Sequence, residues 1–326
     1  MMKRMMVALI ACAAALPAAL PAAAREVVRV QEIAEPREVV YKKVGDEPLK
    51  LFVFNPPDLK AGDRRAAVVC IHGGGWVGGD VRLFFPHARY FASRGAVAIS
   101  VQYRLCKPGG PTIFDCLADC KSAMRYIRAN AGKLSVDPAR IAAMGDSAGG
   151  HLAACLGVLD GLDDPADDLA VSAVPNALLL YNPILDLATT VNKWALSIPG
   201  IAEPNAAKLS EEQIERVASH GKTPLERANA ISPMSAVAKG QPPVLLMHGT
   251  EDACVGVEQA RQFSNAAVKA GNRCDYIELK GIAHAFVLVN YTAPEEVTAE
   301  SIRAADRFLA SLGYIAGKPT LRAASE

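Results

Sequence analysis

The stretch from Met144 to Gly150, with the sequence MGDSAGG, constrains the fold of this chain more than any other. It follows a short apolar run that begins at Arg140 and is typical of a strand, and an alanine-rich run typical of a helix comes after it. A serine in such a strand-to-helix turn has strained backbone, and only glycine neighbours let the strand and helix pass closely. The pattern Gly-x-Ser-x-Gly therefore predicts a nucleophile elbow, with Ser147 as the nucleophile.

A second motif, HGGGW at residues 72–76, supports this interpretation. It directly follows the apolar β-type run Ala66–Ile71, so it lies in a loop at the end of a strand. Gly-x-Ser-x-Gly arises by chance in roughly one chain in ten of this length, and the second motif in about one in several hundred. Their joint presence is far more specific than either motif alone.

The glycines of the second motif are candidates for an oxyanion hole. We expect the backbone N–H groups of Gly74, Gly75 and Ala148 to be the donors, with Gly73 supplying the bend of the loop. Glycine is required there because a side chain would fill the space of the acyl oxygen. Trp76 has two interpretations, as a wall of the substrate pocket or as a residue that packs the loop.

A nucleophilic serine needs a base and an acid that orients the base. The base is predicted to be His284, in the loop after the strand-like run Cys274–Leu279. The acid is predicted to be Asp252, which follows another strand, with its neighbour Glu251 and the more distant Asp186 as alternatives. Because a neutral imidazole must accept the proton, activity should rise through a pKa of about 6 to 7.

The other five histidines are predicted to be structural or have no supporting context. His151 lies one helical turn beyond the serine and should point into packing, and His248 should be a hydrogen-bonded core residue at a strand end. His72 begins the glycine loop and is expected to brace it. His87 and His220 lie in no recognisable motif.

Continuous apolar runs alternate with helical stretches through most of the chain, which predicts an α/β fold with an eight-stranded, mostly parallel sheet flanked by helices. The first two strands flank a turn and form an antiparallel hairpin. The predicted strands are Val39–Val44, Leu49–Phe54, Ala66–Ile71, Ala96–Val101, Arg140–Met144, Ala177–Asn182, Pro243–His248 and Cys274–Leu279. The predicted helices are Phe85–Arg94, Thr112–Ala131, Ser147–Leu159, Glu258–Ala270 and Thr298–Leu312.

A long insertion, residues 187–230, follows the sixth strand and interrupts the alternation. Ser210 and Gln213 are spaced as a capping box, and Leu209 and Ile214 as a hydrophobic staple, so a short helix should begin there. Such a helix above the carboxyl ends of the strands would form a lid or pocket wall. The alternative is a surface excursion with no catalytic part.

Residues 1–24 have the features of a secretory signal peptide: a basic start, an apolar run from Met5 to Leu20 and small residues before a cleavage site near Ala24. The apolar run continues well past Cys12, which argues against lipidation at that residue. We therefore expect a secreted or periplasmic protein with no membrane association after cleavage. The predicted organisation continues with a leader (25–38), a catalytic domain (39–313) and a C-terminal tail (314–326).

Charge and cysteine usage exclude several classes of function. The 326-residue chain has 35 basic and 34 acidic residues and no basic stripe, so no nucleic-acid partner is indicated. Seven of the eight cysteines follow the signal peptide, an odd number that leaves at least one without a disulfide partner. Cys70 and Cys155 are expected to be buried, and Cys116 and Cys120 to pack on one helix face. No metal site is predicted, and the acidic run at 160–168 is interpreted as a solvated turn because it lacks calcium-loop spacing.

The chain resembles the α/β-hydrolase-fold esterases of the hormone-sensitive-lipase-like group, and especially the BD-FAE branch of bacterial feruloyl and acetyl esterases. The resemblance covers Tyr41 to Leu312 and rests on five motifs: HGGGW (72–76), YRL (103–105), GDSAGG (145–150), GTED (249–252) and HAF (284–286). It implies the α/β-hydrolase fold and cofactor-free hydrolysis of carboxylic esters by a Ser-His-Asp triad. Hormone-sensitive-lipase-like members usually have Asp-Pro-Leu where this chain has Asp252-Ala-Cys, and a helical cap for which little room exists before His72. Both departures favour the BD-FAE branch.

Three functions are compatible with these motifs. The first is hydrolysis of small-molecule or carbohydrate esters with acetyl or feruloyl groups. The second is a serine peptidase of the prolyl-oligopeptidase type, although such chains need several hundred residues of propeller before the hydrolase domain. The third is a catalytically silent binding relative, which the presence of all three triad residues argues against. The sequence indicates no oligomeric state.

Overall fold

A computed structural model describes most of the chain: residues 33–190, 195–202, 211–289 and 291–321. The predicted signal peptide, including Cys12, lies outside the described residues. Leu209, Ser210 and the side chain of Gln213, on which the proposed cap and staple of the insertion depend, are also outside them.

One eight-stranded sheet forms the centre of the molecule, as predicted, and its order is β1-β2-β4-β3-β5-β6-β7-β8. The strands are β1 (Arg37–Val44), β2 (Glu47–Phe54), β3 (Arg65–Ile71), β4 (Val97–Val101), β5 (Val136–Asp146), β6 (Ala177–Tyr181), β7 (Val244–Gly249) and β8 (Cys274–Leu279). The hairpin strand β2 is antiparallel to both β1 and β4, and all the other neighbours are parallel. This is the α/β-hydrolase arrangement, with the carboxyl ends of β3, β5, β7 and β8 at one rim.

The central strands are apolar along their whole length because both faces of the sheet are covered. Along β3, Val69 and Ile71 pack into the core on one face, whereas Val68 and Cys70 pack into the core on the other. This alternation is the two-residue period of a strand buried on both sides.

Helices cover the two faces: α1 (Phe85–Ser93), α2 (Ile113–Ala129), α3 (Ala131–Leu134), α4 (Ser147–Val158), α5 (Glu211–Ser219), α6 (Pro224–Ala230), α7 (Glu258–Lys269) and α8 (Glu295–Ser311). All five predicted helices form. The largest difference is at α8, which begins at Glu295, directly after the N-cap Pro294. Proline suits the start of a helix because it has no N–H of its own that would lack an acceptor there. No helix in the described part of the chain is long and apolar enough to cross a membrane.

The acidic run after α4 is only partly a solvated turn, because Asp160 and Asp168 are exposed whereas the other three aspartates form ion pairs. Asp164 forms an ion pair with Lys42 at 2.6 Å, and Asp163 and Asp167 pair with Arg125 at 2.7 Å and 3.1 Å. All three carboxylates are at most 21% exposed. The run therefore joins the hairpin strand β1 to helix α2, which local sequence could not indicate because the basic partners are distant in the chain.

The described parts of the insertion pack against the start of α2. The amide of Ile113 donates to Pro199 O at 3.1 Å, and the rings of Phe114 and His220 stack with centroids 3.9 Å apart. Helix α5 forms where a helix was predicted. The next helix, α6, begins with a capping box between Thr223 and Glu226 that was not predicted.

The ends of the described chain also pack on the domain. Strand β1 begins at Arg37, two residues before the predicted start of the catalytic domain. In the predicted tail, Tyr314 and Ile315 are buried against the core. The guanidinium of Arg94 donates to Ala316 O at 2.8 Å, so the packed structure continues past residue 313.

Candidate active site

Ser147 occupies the turn between β5 and α4 in a left-handed conformation, with φ +50°. A Cβ on Gly145 would lie 2.3 Å from Gly149 O, and one on Gly149 would lie 2.1 Å from Ile71 O. Both obstacles are backbone atoms, which cannot move aside as a side chain does. The two glycines of the elbow are therefore dictated by how closely β5, α4 and β3 approach.

The glycine loop after β3 has an equally special backbone. Gly74, Gly75 and Trp76 all have positive φ, at +117°, +60° and +63°. In the described part of the chain, the N–H groups of Gly74 and Gly75 donate to no other residue. The N–H of Ala148, in the first turn of α4, belongs to the set that a helix leaves without an intrahelical acceptor.

Gly73, predicted to supply the bend of the oxyanion loop, helps to hold that loop in place, and its N–H is not available to a bound acyl oxygen. Its N–H donates to Asp146 Oδ1 at 2.9 Å, so it is already used. A Cβ on Gly73 would lie 2.8 Å from Asp146 Oδ2. The residue before the serine thus holds the glycine loop against the elbow.

Asp146 is 2% exposed, and its environment is unusual for a carboxyl. Burial raises its pKa to about 6, although the nearby His284 and the N–H of Gly73 act in the opposite direction. No sequence motif indicates a role for Asp146 beyond its place before the nucleophile.

The structure brings the three predicted triad side chains together from β5, β7 and β8. His284 Nε2 lies 2.9 Å from Ser147 Oγ, and His284 Nδ1 lies 2.6 Å from Asp252 Oδ2. Because Asp252 is an acceptor, Nδ1 carries the proton and Nε2 presents its lone pair to the serine hydroxyl.

The Asp252 carboxylate is held from both sides. Its Oδ1 accepts from the backbone amides of Cys254 and Val255 at 2.9 Å and 2.8 Å. Its Oδ2 faces His284 and, at 3.2 Å, also Nε2 of His248. Burial alone would raise the pKa of Asp252, but hydrogen bonds from the two histidines and from Val255 outweigh it and hold the pKa well below its usual range. The carboxylate is therefore ionised at neutral pH.

The two alternative acids do not reach His284. Glu251 is exposed, and its backbone amide bonds Ile282 O instead. The carboxylate of Asp186 accepts from the amide of Thr189 at 3.2 Å and caps a short turn at the start of the insertion. The preference for Asp252 agrees with the geometry.

Trp76 packs the loop and does not wall an open pocket. Its indole is fully buried and donates from Nε1 to His151 Nδ1 at 3.3 Å. The predicted substrate contact of Trp76 is therefore not supported. His151 in turn donates from Nε2 to Ile231 O at 2.7 Å, and burial lowers its pKa to about 4, as expected of a structural histidine.

His72 braces the glycine loop as predicted. Its Nδ1 lies 2.8 Å from Gly73 O, and its ring stacks on Tyr103 with centroids 4.5 Å apart. The Tyr103 hydroxyl donates to His72 O at 2.7 Å. Tyr103 of the YRL motif thus holds His72 in place, and His72 in turn holds the oxyanion loop.

Two further residues position the base and acid, a role that was not predicted for either of them. Asn182, at the end of β6, accepts from the amide of Ala285 with its side-chain oxygen at 3.2 Å and so fixes the loop that carries His284. His248 contacts Asp252, as described above, besides bonding Val255 O at 2.9 Å. Both lie at the carboxyl ends of strands at the same rim, a position that marks them as candidates but does not show which way their side chains point.

One group among the described residues has metal-ligand chemistry, Asp252, Cys254 and His284, with ligand atoms within 4.8 Å of one another. The carboxylate and imidazole are joined there by a 2.6 Å hydrogen bond, which is shorter than the separation of two ligands on one tetrahedral ion. The arrangement suits proton transfer and not ion binding.

Comparison with known proteins agrees with this geometry. Thermogutta terrifontis esterase 2, in a form phosphoramylated by tabun, is 36% identical and superposes with a TM-score of 0.75, over 88% of this chain and 98% of that one. Esterase LipQ of Mycobacterium tuberculosis is 29% identical over 82% of this chain, and esterase LipC of the same organism is 28% identical over 78%. The chain spans about 60% of the length of these two curated relatives.

The family match covers residues 53–267, which include the glycine loop, the elbow and the predicted acid. His284 lies beyond the matched range, but the structure places it against Ser147. The chain therefore belongs to the BD-FAE family, within the α/β-hydrolase-fold esterases.

Proposed function

We propose that this protein hydrolyses carboxylic esters through an acyl-enzyme formed on Ser147. The observation that carries the proposal is the continuous hydrogen-bonded series from Ser147 Oγ to His284, at 2.9 Å, and from His284 to Asp252, at 2.6 Å. This assembly also argues against the catalytically silent relative.

In the first step, His284 Nε2 takes the hydroxyl proton as Ser147 Oγ attacks the ester carbonyl carbon. The N–H groups of Gly74, Gly75 and Ala148 stabilise the negative charge that develops on the carbonyl oxygen. The imidazolium, which Asp252 stabilises, then protonates the leaving alcohol oxygen as the C–O bond breaks. Water repeats the sequence on the acyl-enzyme and releases the acid.

For the acyl group, we propose short chains, with acetyl, propionyl and butyryl esters as substrates. Thermogutta terrifontis esterase 2 has been determined with propionate and with butyrate bound, at 37% identity to this chain. The family membership supports acetyl esters of carbohydrates as the natural class, with feruloyl esters, whose acyl group is larger, as the alternative. The predicted signal peptide supports export to meet such substrates. We further propose that the described parts of the insertion, residues 187–190, 195–202 and 211–230, form a wall of the acyl site.

The test compares p-nitrophenyl acetate hydrolysis by the wild type, Ser147→Ala and the control Ser311→Ala, in which an exposed serine at the end of α8 is changed. We expect Ser147→Ala to lose activity by roughly 10⁴-fold or more and Ser311→Ala to keep it. Substantial turnover by Ser147→Ala would overturn the proposal. Esters of increasing chain length, acetylated xylan and a feruloylated sugar then define the substrate.

A further inference from the structure

Cys106 and Cys116 are two buried thiols that the proposed chemistry does not use. Their sulfur atoms lie 3.5 Å apart, and the residues are 3% and 0% exposed. Cys106 lies in the segment after β4 and Cys116 in the first turn of α2, so the pair spans the connection between two elements. The two sulfurs are in contact without being bonded.

We propose that Cys106 and Cys116 form a structural disulfide when the protein folds in an oxidising environment. A disulfide needs sulfurs about 2.05 Å apart, and side-chain rotation alone brings contacting thiols that close where the backbone separation permits. The inference depends on neither ester hydrolysis nor the identity of the substrate. Its natural setting is the export that the sequence predicts.

The turn between the two cysteines is already closed. The amide of Lys107 donates to Pro111 O at 3.0 Å, and that of Gly110 donates to Lys107 O at 3.0 Å. The ends of the turn are therefore held together before any covalent bond forms. A cross-link here fixes a geometry that the fold has already adopted.

The cross-link would also stiffen the support of the oxyanion loop. The amide of Cys106 donates to Trp76 O at 2.8 Å, and Trp76 is the last residue of the HGGGW motif. At the other end, the amide of Ile113 donates to Pro199 O in the insertion. One disulfide would thus link the segment that bonds Trp76, at the end of the oxyanion loop, to helix α2, on which the insertion packs.

Burial determines when the bond can form. Burial raises the pKa of the Cys116 thiol well above its usual value, so the folded protein presents little of the reactive thiolate. Oxidation therefore occurs during folding or local opening. Both thiols are oxidised and one molecule of glutathione disulfide is reduced to two of glutathione, through a mixed disulfide at one cysteine that the other displaces.

Other thiols are the natural competitors. Cys120 is also buried on α2, one turn beyond Cys116, so a bond to Cys120 must be distinguished from the proposed one. The chain offers a direct means, because Asp115 and Asp119 each precede one of these cysteines. Cleavage before aspartate therefore separates all three thiols onto different peptides.

The experiment refolds the full mature chain in a glutathione/glutathione disulfide buffer, alkylates remaining thiols in denaturant and digests with a protease that cleaves before aspartate. We expect the peptide ending at Phe114 to be linked to the tetrapeptide Asp115–Ala118, with Cys120 alkylated. Alkylation of both Cys106 and Cys116, or a link to Cys120 instead, would overturn the proposal.

Thermal unfolding gives a second readout that does not need activity. Adding a reductant before heating should lower the melting temperature of the oxidised wild type by roughly 5 °C. Cys106→Ala and Cys116→Ala should lose this sensitivity, whereas Cys70→Ala, which changes a buried thiol of β3, should keep it. Equal sensitivity in all four proteins would contradict the assignment.

Discussion

The nucleophile side and the acid–base side of the rim are built by different means. Around Ser147 and the glycine loop, backbone meets backbone so closely that a Cβ would lie 2.1 to 2.4 Å from another main-chain atom at Gly74, Gly79, Gly145 and Gly149. Around His284 and Asp252, only Gly249 is packed so closely, and side-chain hydrogen bonds place the acting atoms.

This difference explains why the two sides should tolerate substitutions differently. Steric exclusion of a Cβ leaves only glycine, so the nucleophile side should fail abruptly when one methyl group is added. On the acid–base side, hydrogen bonds differ in importance, so the size of the change in rate and in pH dependence should depend on which hydrogen bond is removed.

The largest effect should come from Asp252→Asn, which keeps the shape of the acid but removes its charge. We expect kcat to fall by about 10⁴-fold, because an amide no longer fixes the Nδ1–H tautomer of His284. The matched control is Glu251→Gln, an isosteric change at the exposed neighbour, which should keep wild-type kinetics. Equal losses in the two variants would remove the distinction between these carboxylates.

Gly149→Ala tests the steric side of the comparison. The added Cβ would lie 2.1 Å from Ile71 O, so we expect a loss of at least about 3 kcal/mol in the free energy of unfolding. Gly132→Ala, in helix α3 with nothing within 4 Å of the new Cβ, should be neutral or slightly stabilising. Denaturant unfolding measures the stability of both variants. Similar free energies of unfolding would show that the backbone at Gly149 can accommodate a Cβ.

Asp146→Asn tests a titratable carboxyl on the nucleophile side, where close backbone packing otherwise determines the structure. A carboxyl whose pKa is raised to about 6 on folding adds stability below its unfolded pKa, and this is lost as pH rises through about 6. The free energy of unfolding of Asp146→Asn minus that of wild type should therefore be higher at pH 8 than at pH 4, by up to about 3 kcal/mol.

The control for this pH series is Asp137→Asn on the same strand. The pKa of Asp137 is lowered by hydrogen bonds from the amide of Ala139 and from Arg140, so its stabilisation is already present above its unfolded pKa. The stability difference for this variant should be constant between pH 5 and pH 8. A constant difference for Asp146→Asn as well would refute the raised pKa.

The smallest effect should come from His248, a positioning residue that acts through Asp252. Its Nε2 faces two acceptors, Val255 O and Asp252 Oδ2, so that nitrogen carries a proton. In His248→Leu we expect kcat/KM to fall about 10-fold. The acid limb of its pH profile should also move up by about 0.5 to 1 unit, because a less hydrogen-bonded carboxylate stabilises the imidazolium more.

His248→Gln, which supplies an N–H donor, should restore much of the rate and return the acid limb toward its wild-type position. A purely structural role would lower the rate without moving the limb, and that result would remove His248 from the acid–base side.

The sequence was most informative where sterics leave one residue type. Glycines at fixed spacing around Ser147 located the elbow and the loop, and apolar runs located all eight strands of the sheet. The ion pairs of Asp163 and Asp164 were missed because their partners are distant in the chain. The contact of His248 with Asp252 was also missed, since local sequence does not show which side of a strand end faces the site.

The most direct test of the central claim is stoichiometric labelling with diethyl p-nitrophenyl phosphate, followed by mass spectrometry of the peptides. We predict that one p-nitrophenol is released per chain and that a diethylphosphoryl group is found on Ser147 alone. Labelling should be abolished in Ser147→Ala and strongly slowed in His284→Ala. An active preparation that carries the label on another residue, or that labels equally well without His284, would contradict it.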